Sequence, residues 1–108
     1  PAGKIDNNED PQLTAIRELQ EEAGITAQSW QSLGYYTSSP GVFSEIVHLY
    51  LALDLEAGVL AHEDDEVIEV HWVDFSQARQ WALDNTISDG KTALALLRAW
   101  AHYFDNPC

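Results

Sequence analysis

Three carboxylates crowd one short stretch of this chain: Glu18, Glu21 and Glu22 fall within five residues, directly after Arg17. If the stretch is helical, spacings of three and four put Glu18 on the same side as both Glu21 and Glu22. Like charges at those spacings oppose the helix. The negative end of the helix dipole, close by, adds to the cost. Each effect is about 0.3–1 kcal/mol, and both act in the same direction. Arg17, one turn before Glu21, offsets part of this. A divalent cation is the natural partner for the remainder, and hard oxygen ligands select Mg²⁺ or Mn²⁺ over softer metals. The competing reading is a solvated acidic helix face.

The elements that must position these groups follow from pattern. Asp10 then Pro11 reads as an acidic N-cap with Pro at the first helical position. Leu13, Ile16, Leu19 and Ala23 form an apolar stripe, and Gly24 reads as a left-handed C-cap. The spacing predicts a helix over 11–23. Leu33 to Thr37 reads as a short strand closed by a turn at Ser38, Ser39, Pro40 and Gly41. Ile46 to Leu53 is nearly all apolar and suits a strand buried on both faces. Glu56 to Asp65 reads as a loop leading into the acids Glu63, Asp64, Asp65 and Glu66, with strand alternation resuming over Val67–Val73. Ser76 is expected to cap a short helix to Leu83. Asp89 is expected to open a last helix with Leu94, Leu97, Trp100, Ala101 and Phe104 on one face. Helix, strands, then helices describe an α+β domain.

Composition bounds the rest. The 108 residues are 45% hydrophobic and include four Trp, four Tyr and three Phe, enough for the core of one domain spanning 1–108. Eighteen acidic against five basic residues, a net charge of -13, would repel a nucleic-acid polymer. No apolar run approaches the length of a membrane span, and no N-terminal signal pattern is present. The single cysteine, Cys108, cannot form an intrachain disulfide, and a reducing cytoplasm fits that usage. Histidines 48, 62, 71 and 102 have no metal-ligand spacing and read as structural or surface groups. Three strand candidates make a thin sheet for so many apolar residues, and the chain opens on Pro-Ala-Gly with no Met anywhere. Both suggest that upstream residues are lacking.

The loop before the helix narrows the alternatives. Gly3, five residues, Glu9, seven residues, Arg17-Glu18-Leu19, one residue, Glu21-Glu22, one residue, Gly24-Ile25 is the full signature of the Nudix hydrolases. A chance match in a chain this long is on the order of one in ten million. The chain therefore resembles that family, and the resemblance implies the Nudix fold: a mixed β-sheet sandwiched between helices, here without its N-terminal portion. It further implies that Glu18, Glu21 and Glu22 bind the divalent metal, Mg²⁺ or Mn²⁺, with the backbone carbonyl of Ala2. Arg17 would orient Glu21, Glu9 would support the loop, and Leu19 and Ile25 would face the core. Gly3 would allow a close backbone approach.

Within the family, Ser38 to Glu45 followed by an apolar strand resembles ADP-ribose pyrophosphatases, with Pro40 standing 15 residues after Ile25. That resemblance implies substrate contacts from Pro40, Gly41 and Glu45. It also implies that Glu66 acts as base or positions the attacking water, with Glu63, Asp64 and Asp65 as alternatives. The expected reaction is metal-assisted hydrolysis of a pyrophosphate, with ADP-ribose giving AMP and ribose 5-phosphate. Rival readings are a Nudix enzyme for another nucleoside diphosphate sugar or dinucleotide, and a non-catalytic fragment that binds metal or a partner. Similar proteins carry strands before the signature. Without them apolar faces would lie uncovered, and pairing with a second copy as a homodimer is expected.

Overall fold

A computed structural model describes residues 1–6, 8–38, 45–58 and 70–105. The chain divides into two compact units, Pro1–Val70 and His71–Cys108.

The first unit holds one helix and one β-hairpin. Helix α1 spans Pro11–Ala23, the bounds predicted from Pro11 and Gly24. Asp10 occupies the N-cap position with extended backbone, but its side chain makes no cap bond. Gly24 ends the helix at φ 66°, a left-handed conformation that costs a glycine little, and its N–H donates to the carbonyl of Gln20. Strand β1 then runs Ile25–Thr37 and pairs antiparallel with β2, Ile46–Ala57. Thus β1 begins eight residues earlier than its apolar pattern indicated, and β2 extends through Glu56 and Ala57, which were expected in a loop.

The hairpin register shifts once. Ser32 pairs with Tyr50 and Tyr35 with His48, so Leu33 and Gly34 together oppose Leu49. Gly34 takes φ 84°, as a bulge requires, and its N–H donates to Ser32 Oγ. Only Leu49 of β2 is buried. The expectation of a strand covered on both faces fails because, among the described residues, the sheet has two strands. Among the described residues of this unit, Ile25 and Leu49 are the buried apolar side chains and Thr14 is the buried polar one. Leu13, placed on the apolar stripe, is 56% exposed. An open cleft of about 240 Å³ separates α1 from the sheet, lined by Pro1, Ala15, Leu19, Trp30, Tyr50 and Ala52.

The second unit is a helical pair. Val70–Val73 are exposed and form no strand, contrary to the alternation read there. Val67–Glu69 of that segment lie outside the described residues. Helix α2 spans Phe75–Leu83 and α3 spans Gly90–Trp100, continuing as a π-helical turn over Ala101–Asp105. Asp74, not Ser76, is the N-cap of α2, and Ser76 Oγ instead donates to Asp74 Oδ2 at 2.8 Å. Asp89 caps α3 as expected: its Oδ2 accepts from Thr92 N at 3.1 Å and Thr92 Oγ1 at 2.7 Å. These bonds hold its carboxyl below the usual aspartate range. Phe75 packs edge-on against Trp100, with centroids 5.4 Å apart, and Phe104 lies 4.3 Å from Trp100. The Arg79 guanidinium covers the Trp100 ring at 4.9 Å. Among the described residues of this unit, Ala78 and Ala99 are the buried apolar ones. Among the described residues, no helix is long and apolar enough to cross a membrane.

Candidate active site

Two glutamates of α1, with Glu9 and Asp6 of the preceding loop, surround one guanidinium. Arg17 lies mid-helix and reaches back toward the loop that precedes it. Its Nε donates to Glu9 Oε2 at 3.4 Å and its Nη2 to Glu9 Oε1 at 3.1 Å, a side-on fork on one carboxylate. Nη2 also meets the Lys4 carbonyl at 3.4 Å and Asp6 Oδ2 at 3.3 Å. The remaining nitrogen, Nη1, faces forward: it lies 2.9 Å from Glu18 Oε1 and 3.3 Å from Glu21 Oε2. The Glu9 hydrogen bonds, followed by the charges of Glu9, Glu18 and Glu21, drive the Arg17 pKa further up despite partial desolvation. Glu9 shifts down for the reciprocal reason, with a second hydrogen bond from Thr14. The guanidinium therefore ties the N-terminal loop to two of the three helix carboxylates.

The Glu18 side chain is only 15% exposed, against 46% for Glu21. Burial, then the charges of Glu22 and Glu21, push the Glu18 carboxyl above the ordinary glutamate value, against the pull of Arg17. Gly3 explains how the loop comes so close. A Cβ built on Gly3 would fall on the Glu18 carboxyl group. Gly3 is not one of the positive-φ glycines, so close approach, and not backbone conformation, is what requires glycine there. Glu22 turns toward the same loop and accepts from the Ala2 N–H at 3.2 Å. Ala2, Glu18, Glu21 and Glu22 are thus joined through the loop–helix contact.

The described residues do not, however, draw three Asp, Glu, His or Cys side chains into one metal-holding group. The three carboxylates lean on two donors: Glu18 and Glu21 on Arg17 Nη1, Glu22 on the Ala2 amide. The donor set nevertheless fits a hard divalent ion. It offers carboxylate oxygens, a Glu18 charge that its own surroundings disfavour, and a glycine cradle at the loop.

The other expected site residues fare differently. Glu45 is exposed at the opposite end of β2 from Gly58, and its carbonyl closes the hairpin by accepting from Ser38 N at 2.9 Å. Pro40, Gly41 and Glu66, with the alternatives Glu63, Asp64 and Asp65, lie outside the described residues, as do His62 and Cys108. Two side chains of the Arg17 network, those of Asp6 and Thr14, escaped the spacing argument. Asp6 sits in the loop, where spacing says nothing about direction. Thr14 carried a usable signal, since it lies three residues before Arg17 on the same helical face.

A glutamate helix braced by an arginine and a glycine-bearing loop defines a class, and comparison with known proteins agrees. The chain belongs to the NUDIX family, whose domain matches residues 1–96. It is 39% identical over 98 residues to an ADP-ribose pyrophosphatase of Bacillus subtilis (strain 168), a match covering 89% of this chain and 53% of that protein. It is 36% identical over 98 residues to a methanol dehydrogenase activator of Bacillus methanolicus, with the same coverage of 89% and 53%. A GDP-mannose pyrophosphatase of Yersinia enterocolitica is 37% identical over 105 residues, covering 94% of this chain and 54% of that protein. A crystal structure of an ADP compounds hydrolase superposes with a TM-score of 0.66 at 28% identity, over 93% of this chain and 55% of that one. The chain spans about half the length of the curated relatives it matches.

Proposed function

We propose that the protein containing this chain hydrolyses the pyrophosphate bond of a nucleoside diphosphate sugar with Mg²⁺ or Mn²⁺, and that ADP-ribose is its substrate. The observation that carries the reading is the Arg17 hub, which ties Glu9 of the loop to Glu18 and Glu21 of the helix within the stretch that matches the family. Glu18, Glu21, Glu22 and the Ala2 carbonyl would hold the metal. Bound there, the ion would neutralise phosphate charge and stabilise the leaving oxygen. That role reconciles a chain of net charge -13 with an anionic substrate.

The protein's own groups do the positioning. Arg17 aims Glu18 and Glu21, and Gly3 lets the loop lie against Glu18. Glu66 is assigned to hold the attacking water and accept its proton; Pro40, Gly41 and Glu45 are assigned to the substrate. Water oxygen bonds to one phosphorus as the bridging P–O bond breaks, so ADP-ribose yields AMP and ribose 5-phosphate. We extend the reading to a homodimer in the cytoplasm. Support for dimerisation comes from large apolar side chains left exposed on the hairpin, among them Tyr35, Ile46 and Leu55.

A second reading is favoured by the Yersinia relative: another nucleoside diphosphate sugar, such as GDP-mannose, in the same site. The test is nucleotide release from ADP-ribose, GDP-mannose and a dinucleotide panel with Mg²⁺ or Mn²⁺. ADP-ribose should be cleaved with the highest kcat/KM. Faster cleavage of GDP-mannose selects the second reading, and no cleavage of any substrate rejects both.

A further inference from the structure

We propose that Thr14 is a positioning residue for the metal-binding carboxylates, acting through Glu9 and Arg17; the proposal rests on the hydrolase reading above. Thr14 is only 5% exposed, although it is polar and stands in the first turns of α1. A buried hydroxyl needs a partner, and a helical threonine ordinarily finds one in the carbonyl four residues back. Here that carbonyl, of Asp10, is 3.4 Å from Thr14 Oγ1, while Glu9 Oε1 is 2.7 Å away. A hydroxyl has one proton to give, and the short, charge-assisted bond takes it.

This choice of partner has a consequence along the network. Glu9 Oε1 accepts from both Thr14 Oγ1 and Arg17 Nη2, and Glu9 Oε2 accepts from Arg17 Nε. The Glu9 carboxylate is thereby fixed by the hydroxyl on the helix, and the fork it offers fixes the guanidinium plane. With Nε and Nη2 engaged on Glu9, Nη1 is the nitrogen aimed at Glu18 Oε1 and Glu21 Oε2. The Thr14 proton goes to Glu9 and not to Glu18 or Glu21, so the effect of the hydroxyl on those two is transmitted by orientation. A purely structural threonine, satisfied by the Asp10 carbonyl, would leave Arg17 indifferent to loss of the hydroxyl.

The test compares the full chain with Thr14→Val, which keeps the shape and removes the hydroxyl, and Thr14→Ser, which keeps the hydroxyl. Thr14→Ala, a good helix former, replaces Thr14→Val if the latter does not fold. Three quantities are read: exchange protection of the Arg17 Nε–H by NMR without metal, Mn²⁺ affinity by electron paramagnetic resonance titration, and kcat against KM. Removing the hydroxyl should abolish the Arg17 protection, weaken Mn²⁺ binding about 10-fold and lower kcat by a similar factor with KM little changed. Thr14→Ser should restore all three. A folded Thr14→Val or Thr14→Ala protein with wild-type Arg17 protection and Mn²⁺ affinity overturns the proposal, as does a folded Thr14→Ser protein that rescues nothing. The metal-free readout separates the two readings: wild-type protein without hydrolase activity rejects the hydrolase, whereas hydroxyl-independent Arg17 protection rejects only Thr14.

Discussion

Replacing Gly3 with alanine should disable the site while leaving the fold nearly intact. The added Cβ would occupy the space of the Glu18 carboxyl, the far end of a flexible side chain. Ordinary carbon–carbon contact needs roughly 3.5 Å, so the carboxyl carbon must retreat by about 1.4 Å. Leaving its rotamer well costs about 0.5–1.5 kcal/mol. The lower chain entropy of unfolded alanine returns about 0.4–1 kcal/mol. The net change in stability is then within about 1 kcal/mol. Catalysis is less forgiving, because a displacement of ~1 Å can cost about 10²-fold in rate, or about 2.7 kcal/mol of barrier. Urea denaturation, Mn²⁺ titration and kcat/KM on the same preparation give the three numbers. Wild-type Mn²⁺ affinity and turnover in Gly3→Ala would falsify the close-approach argument. A stability loss above about 3 kcal/mol would also refute it, by showing that the glycine serves the fold instead.

Other outcomes follow from the same geometry. Glu22→Gln should leave the melting curve almost unchanged and reduce turnover by roughly 10²-fold or more, since loss of even an indirect partner of a metal costs up to about that much; near-normal Mg²⁺-dependent hydrolysis would remove Glu22 from the metal set. Gly24→Ala should destabilise the chain by about 1 kcal/mol in urea, because φ 66° is costly for any residue with a Cβ; an unchanged midpoint would contradict the left-handed cap. Asp89→Ala should lower stability at pH 7, with the difference from wild type shrinking as pH falls below about 4. The sign follows from the depressed Asp89 carboxyl: its stabilisation is present above the unfolded value and is lost as pH falls through the folded one. A wild-type–variant difference that stays constant down to acid pH would show that the Thr92 bonds are not the source.

What spacing revealed, and what it missed, divides along physical lines. Helix α1 was legible at both ends because Pro11 and Gly24 restrict the backbone locally. The first half of β1 was not, since Thr26, Gln28, Ser29, Gln31 and Ser32 have no apolar alternation to read; partners on β2 make that segment a strand. Apolar content misled at Ile46–Leu53, where strand type was right but cover on both faces was not. It misled again at Val70–Val73, where alternation without a neighbouring strand does not form one. At the site, Arg17 and Glu18 are sequence neighbours that helical geometry does not turn toward each other, whereas the contact of Arg17 with Glu21, one turn on, follows from it. The grip of Arg17 on Asp6 does not, because loop side-chain direction is set in three dimensions. Thr14 went unread for a different reason: its place on the Arg17 face was visible, but a threonine in a helix ordinarily has no special role, and its burial and 2.7 Å bond to Glu9 set it apart.

The Gly58 amide donates to the Gly24 carbonyl at 2.6 Å, so the end of β2 is fastened to the turn that ends the glutamate helix. The hairpin's other end closes separately, through Thr37 opposite Ile46 and Ser38 on Glu45. Twelve strand residues, about 40 Å, lie between these two clasps. Lengthening the connection between Ser38 and Glu45 adds loop-closure entropy only slowly and pulls on neither the helix nor its arginine. The architecture is modular in that sense: descendants could remodel the hairpin tip while inheriting the acidic helix untouched.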